Sequence, residues 1–222
     1  MAKYLSALGA ACGLTLCAVP AMAQTQLYET GPSADSSYVR FLNGSEAAVN
    51  VVNGAAKIAL GLTQDTRASK YLAVKQGVPL SANVQMGSKK LALQVTAKPG
   101  EFITMAVLGK DGAAKSVVVR EIPSDFSALQ ASVSLSNFDE TCKLASLTAA
   151  AKGTLILDGI APAQLKRRLI NPVKLVVQVN CDGKPAGLPL DMAQLQAGER
   201  YSVFLLPTGT GRQALFTADG SF

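Results

Sequence analysis

Ile170-Asn171-Pro172-Val173-Lys174-Leu175-Val176-Val177-Gln178-Val179-Asn180-Cys181 decides the fold class. From Val173 on, every odd position is apolar, through Leu175, Val177 and Val179 to Cys181. Lys174, Gln178 and Asn180 between them are polar, and only Val176 breaks the alternation. A period of two marks a strand with one face on a core and the other in water. Pro172 cannot donate to a ladder, so it belongs at the strand's start. Asp182-Gly183 supplies a turn at its end.

The same signature recurs outward from this stretch. Short alternating segments at 38–43, 47–52, 56–62, 70–75, 81–86, 90–96, 101–108 and 116–121 form one set. A second set lies at 131–137, 141–147, 153–157, 162–169, the opening strand, 188–195, 199–206 and 213–217. Asn43-Gly44, Asn53-Gly54, Gly87-Ser88 and Pro99-Gly100 read as turns between strands. Segment 122–129 carries Pro123, Ser124, Asp125 and Ser127 and reads as a linker, with room for a short helical turn. The expected fold is all-β: an extended arm at 24–37, a β-sandwich at 38–121, the linker at 122–129 and a second β-sandwich at 130–222.

The two sets align as copies. Gly100-Glu101-Phe102-Ile103-Thr104-Met105-Ala106-Val107-Leu108 matches Gly198-Glu199-Arg200-Tyr201-Ser202-Val203-Phe204-Leu205-Leu206, an offset of 98. Segment 39–43 matches 133–137, an offset of 94. An internal duplication follows, with each copy burying its own core.

The first 23 residues stand apart. Lys3 precedes an apolar run at 5–19, and Ala21-Met22-Ala23 places small residues where a secretory signal peptide is cut, before Gln24. Cys12 and Cys17 leave a lipoprotein as the alternative, without the small-residue context of a lipidated cysteine. No later stretch is long and apolar enough to span a membrane. The expected product is a soluble, exported, periplasmic chain of 199 residues, whose net charge falls from +6 to +5 with the loss of Lys3. That modest positive charge suits an anionic polymer or an acidic partner as well as plain solubility. Nothing resembles a nucleic-acid module. The mature chain keeps two cysteines, Cys142 and Cys181, and in an oxidising compartment an isolated pair forms a disulfide.

The chain contains no histidine. That excludes Ser-His-Asp and Cys-His catalysis, and two cysteines without histidine make no zinc set. Neighbouring pairs Ser69-Lys70 and Ser88-Lys89 point to opposite faces of a strand and read as surface positions. Glu101, Glu199, Asp139 and Glu140 show no paired-carboxylate spacing, and the repeat positions of Glu101 and Glu199 favour a structural role. A non-enzyme without a cofactor or metal is the expectation. A neutral-glycan platform is weak, because there is no Trp, and Tyr201 shares a face with Val203 and Leu205. Lys89-Lys90 and Lys166-Arg167-Arg168 could hold an anionic polysaccharide, and both read equally as solvated turns.

Two stretches carry a family resemblance. Arg168-Leu169-Ile170-Asn171-Pro172-Val173-Lys174, running on to Asp182-Gly183, resembles the C-terminal half of the periplasmic alginate O-acetylation proteins of the AlgF type. Leu27-Tyr28, Gly31, Tyr38-Val39-Arg40 and Asn43 resemble the start of the mature proteins of that family. The resemblance implies a non-catalytic accessory of exopolysaccharide O-acetylation. Such a protein would link a membrane-bound O-acyltransferase to periplasmic hydrolase-fold acetyltransferase proteins, with alginate or a related polymer such as cellulose as the polysaccharide. On this reading Arg40, Lys166, Arg167, Arg168, Asn171 and Lys174 are the expected contacts with partner or polymer.

Overall fold

The computed structural model describes residues 36–54, 56–109, 114–124 and 126–219. The expected signal peptide and all of the expected arm but Ser36 and Ser37 lie outside them. Those two residues begin the first strand.

The first copy runs β1 Ser36–Ser45, β2 Val49–Asn53, β3 Ala56–Leu60, a single helical turn α1 Gln64–Arg67, β4 Leu72–Lys75, β5 Pro79–Met86, β6 Lys89–Thr96, β7 Phe102–Gly109 and β8 Lys115–Glu121. The second runs β9 Ala131–Asn137, β10 Ala145–Ala149, β11 Leu155–Ile160, β12 Leu165–Ile170, β13 Lys174–Cys181, β14 Lys184–Pro185, β15 Leu190–Gln194, β16 Arg200–Thr208 and β17 Gly211–Ala218. Each copy makes two sheets. The inner pair are β4-β1-β7-β8 and β12-β9-β16-β17. The outer pair are β3-β2-β5-β6 and β11-β10-β13, with β14 and β15 also on β13. Among the described residues no helix is long and apolar enough to cross a membrane.

The duplication is written into the ladders. In each inner sheet the first strand lies parallel to the long late strand, Val39 opposite Ile103 and Val133 opposite Tyr201. Val39 and Val133 differ by 94, Ile103 and Tyr201 by 98, the two offsets of the sequence alignment.

Three cores hold four layers together. Val39, Val51, Val84 and Ile103 represent the core between the first two sheets. Val133, Leu147, Val177 and Val203 represent that of the second sandwich. A third joins the two inner sheets: Leu42, Ala106, Leu108 and Val119 meet Phe138, Phe204, Leu206 and Leu215. The inner sheets are therefore covered on both faces, and β7 and β9 are buried along nearly their whole length. Such strands read as continuous apolar runs, as Phe102–Gly109 does. The opening strand β13 keeps the alternation of an outer sheet, with Leu175, Val177, Val179 and Cys181 buried and Lys174 exposed.

Asn43-Gly44 is not a turn. Both residues are buried inside β1, which stays laddered to β7 as far as Ser45. The Asn43 side-chain amide donates to the carbonyls of Ala47 and Gly61 and its oxygen accepts the Ser45 N–H. Asn137 repeats the clamp, donating to Cys142 and Ile160 carbonyls and accepting the Asp139 N–H. Both asparagines fasten the end of an inner strand to the outer sheet of the same copy. Gly44 owes its identity to the third core, since a Cβ there would stand 2.5 Å from Leu108 Cδ2 and 2.9 Å from Leu206 Cδ2. Gly44→Ala is expected to cost about 1–3 kcal/mol by overpacking. A urea midpoint equal to that of the parent would count against a close-packed seam.

Candidate functional site

Strand alternation divides the basic run on β12. Leu165 packs against the core between the sandwiches and Ile170 against that of the second sandwich. Arg167, in phase with Leu165, enters the seam. Lys166 and Arg168, in phase with Ile170, leave on the other side and remain exposed. The expected cluster of three cations is thus one buried guanidinium and two surface ones.

Arg167 is held by both carboxylate oxygens of Glu121, at 2.5 Å from Nε and 3.1 Å from NH2, and by Asp219 Oδ2 at 3.3 Å. Its NH1 reaches Ser132 Oγ and the Tyr201 carbonyl. Arg40 is 1% exposed. Its NH1 donates to Asp219 Oδ1 at 2.7 Å, its Nε donates to Thr104, and its guanidinium lies over the rings of Tyr71 and Phe204. Arg40 and Arg167 were expected as contacts for a partner or polymer, and the structure corrects this: inner-sheet positions facing the other sandwich are closed to solvent. Arg200 completes the layer, with NH2 3.4 Å from Glu121 Oε1.

Burial alone would raise the Asp219 carboxyl. Arg40 and Arg167 beside it, with the Ser202 hydroxyl, hold it below the ordinary carboxylate range. Burial likewise opposes the charge on Arg167, but Glu121 and Asp219 outweigh it and raise the guanidinium. For Tyr71 burial prevails and pushes the phenol up.

This layer follows the duplication in its acids. Glu121 pairs with Phe102 on the neighbouring strand, and the Asp219 N–H donates to the Arg200 carbonyl. Phe102 and Arg200 are 98 apart, as are Glu121 and Asp219, and Thr104 and Ser202. Arg40 of the first copy binds the acid of the second, and Arg167 of the second binds the acid of the first. The acids stand at matching positions but the arginines do not, since Arg40 on β1 matches Ser134 on β9 and Arg167 lies on β12. The layer's charges are enclosed and mutually satisfied apart from Arg200 and one nitrogen of Arg40. Its chemistry is that of a lock between sandwiches. The alternation Arg200, Ser202, Phe204 against Tyr201, Val203, Leu205 is the sequence signal that could have placed Arg200 here.

The remaining expected site residues are on the surface. Lys166 Nζ donates to the Asp158 carbonyl at 2.7 Å and Arg168 NH1 to that of Ile156 at 3.3 Å, so both lean from β12 onto β11. The Asn171 side-chain oxygen accepts from Gln130. Lys174 is exposed at the start of β13, paired with Gln194. Arg168 and Asn171 border a groove of about 420 Å³ whose apolar wall includes Leu155, Ile170 and Leu175. Leu155 and Val173 are roughly half exposed, at 51% and 43%. Lys89 and Lys90 are exposed beside the turn from β5 to β6, far from this groove in the chain order.

Cys142 and Cys181 are bridged, with Cα atoms 5.5 Å apart. Cys142 precedes β10 rather than opening it, and the bridge ties that approach to the end of β13. Asp182 lies beside the two sulfurs, but sulfurs joined to each other offer no thiolate to a metal. Ser69 accepts the Phe41 N–H, and its own hydroxyl donates to the Lys70 carbonyl.

No protein-family model matches the sequence, and no curated protein matches it. Among solved structures, the chain is similar to the C-terminal domain of AlgF from P. aeruginosa, at 23% identity and a TM-score of 0.35, over 40% of this chain and 98% of that one. It is also similar to a protein with a provisional cell-adhesion assignment from Bacteroides uniformis ATCC 8492, at 8% identity and a TM-score of 0.27, over 84% of this chain and 98% of that one. A counterpart from Bacteroides eggerthii DSM 20697 shows 11% identity and a TM-score of 0.24, over 85% and 96%. At these scores the likenesses carry nothing about function.

Proposed function

We propose that this chain is a non-catalytic periplasmic adaptor of exopolysaccharide O-acetylation, joining a membrane-bound O-acyltransferase to periplasmic hydrolase-fold acetyl-transfer proteins. The observation that supports it best is the surface around the β12–β13 corner. Arg168, Asn171 and Lys174 are exposed there and belong to the segment that carries the family resemblance, and Arg168 and Asn171 border a groove of mixed polar and apolar lining. A partly apolar groove with Arg168 at its edge and Lys174 exposed on the next strand suits an acidic partner surface. The sequence lacks histidine altogether, in keeping with a role other than acyl transfer itself.

The test is recovery of partners from envelope extract with the tagged chain, identified by mass spectrometry. An acyltransferase or a hydrolase-fold protein is expected. Arg168→Ala or Lys174→Ala is expected to lower that recovery about fivefold or more, the effect of losing an interface anchor. Both side chains are exposed, so the melting temperature should hardly move. Unchanged recovery, or variants that melt instead, would remove these residues from docking. The second reading is a carbohydrate-binding module that holds an anionic polysaccharide through Lys166, Arg168 and Lys174. It predicts saturable, salt-sensitive binding of purified alginate, and no binding at millimolar oligosaccharide would dismiss it.

A further inference from the structure

One guanidinium in the seam is not completed by its neighbours. Arg200 is 6% exposed, and its Nε, NH1 and NH2 have no hydrogen-bond acceptor among the described residues. Its nearest carboxylate oxygen, Glu121 Oε1 at 3.4 Å, is already bound at 2.5 Å by Arg167 Nε. Among the described residues the charges are unbalanced in the same sense, with Arg40, Arg167 and Arg200 set against Glu121 and Asp219. A buried cation short of acceptors costs several kcal/mol. The fold does not demand one here, because the matching position of the first copy holds Phe102.

We propose that Arg200 is the floor of a carboxylate-binding site in the seam between the sandwiches, which takes the carboxylate of a small organic acid or of a uronic acid residue in a polysaccharide. The free N–H groups of a planar guanidinium match two carboxylate oxygens side by side. The rings of Phe102 and Phe126, 5.4 and 5.2 Å from the guanidinium carbon, flank it with apolar walls. Burial lowers the Arg200 pKa, Arg167 adds to this and Glu121 opposes it, so a further anion would be welcomed.

The Arg167 end of the layer opens onto a cationic groove. A groove of about 300 Å³ between β8 and β12 has Glu121 and Arg167 among its lining and carries Arg120 and Lys166. Such a groove raises the local concentration of anions. Phe126 is 40% exposed and stands over the guanidinium, so a ligand would displace its ring. None of this depends on the adaptor reading, and partner recovery and anion binding can fail separately.

The test uses the mature chain at constant ionic strength, titrated with acetate, with glucuronate and with chloride, and followed by calorimetry and thermal shift. Saturable binding of acetate or glucuronate, and not of chloride, is expected. Binding of acetate identifies a small-acid site, and binding of glucuronate alone identifies a uronate site. Arg200→Met should abolish binding. Phe126→Ala should tighten it about two- to fivefold by removing the cation–π contact, and this variant serves if Arg200→Met does not fold. Absence of binding in the parent, an equal response to chloride, or binding unaffected by both substitutions would overturn the site.

Discussion

Asp219→Asn is expected to destabilise the protein by about 3–5 kcal/mol, the cost of leaving a buried ion pair half made. Asp219 accepts from Arg40, Arg167 and Ser202, and its side chain is 1% exposed. Neutralising it leaves two guanidinium groups facing an amide across the seam. For a chain of this size the loss is a fall in melting temperature of about 10 °C. Arg40→Met should be costly alone and partly rescue Asp219→Asn, because the pair is then removed together. The pH dependence has a definite sign. The folded Asp219 carboxyl lies below its unfolded value of about 3.9, so its contribution is complete above that value and is lost as pH falls through the folded pKa. Asp139, opposed by burial but bonded by Thr141 and Arg212, is depressed too and adds to the loss in acid. Urea midpoints should be level from neutrality down to about pH 5 and fall below it, with a shallower fall in Asp219→Asn. A loss under about 1 kcal/mol in that variant would mean that the seam does not depend on its charges.

Opening the Cys142–Cys181 bridge is the second large effect. The cysteines are separated by 39 positions, and closing such a loop is worth about 4 kcal/mol in the chain-entropy model. Both sulfurs belong to the core of the second sandwich. Reduction, or Cys142→Ala with Cys181→Ala, should therefore loosen β10 and β13 before it affects the first sandwich. Hydrogen exchange resolves this, with amides of 145–149 and 174–181 losing protection first. Equal loss of protection in β2 and β5 would show that the two sandwiches unfold as one unit and that the bridge is not a local brace.

The outer sheets were legible in the sequence because each has one wet face. Alternation in β13, β5 and β6 survives in their burial. The inner sheets were harder. Their strands are covered twice: Phe102–Gly109 reads as a near-continuous apolar run, and in Ser132-Val133-Ser134-Leu135-Ser136 the alternation persists but its serines are buried rather than wet. Asn43-Gly44 carried a turn signal that the parallel ladder to β7 overrides. The repeat itself was readable, down to the offsets that the ladders obey.

The site was legible in part. The disulfide followed from a lone cysteine pair in a chain expected to be exported. Lys166-Arg167-Arg168 looks like one patch in the sequence, but neighbouring strand residues face opposite ways and Arg167 turns into the seam. For Arg40, a charge on a strand face suggests water. It gives no sign of a second sheet bringing Asp219 to meet it from 179 positions away. Arg200 was signalled only by its alternation with Tyr201, Val203 and Leu205, which acquires a meaning once two sandwiches share a seam.

The adaptor role is tested most directly by the acetyl content of the exopolysaccharide in a strain lacking this protein. The role predicts that O-acetylation falls while polymer yield persists, and that the wild-type chain restores it where Lys174→Ala does so poorly. Acetylation unchanged by the deletion would contradict it.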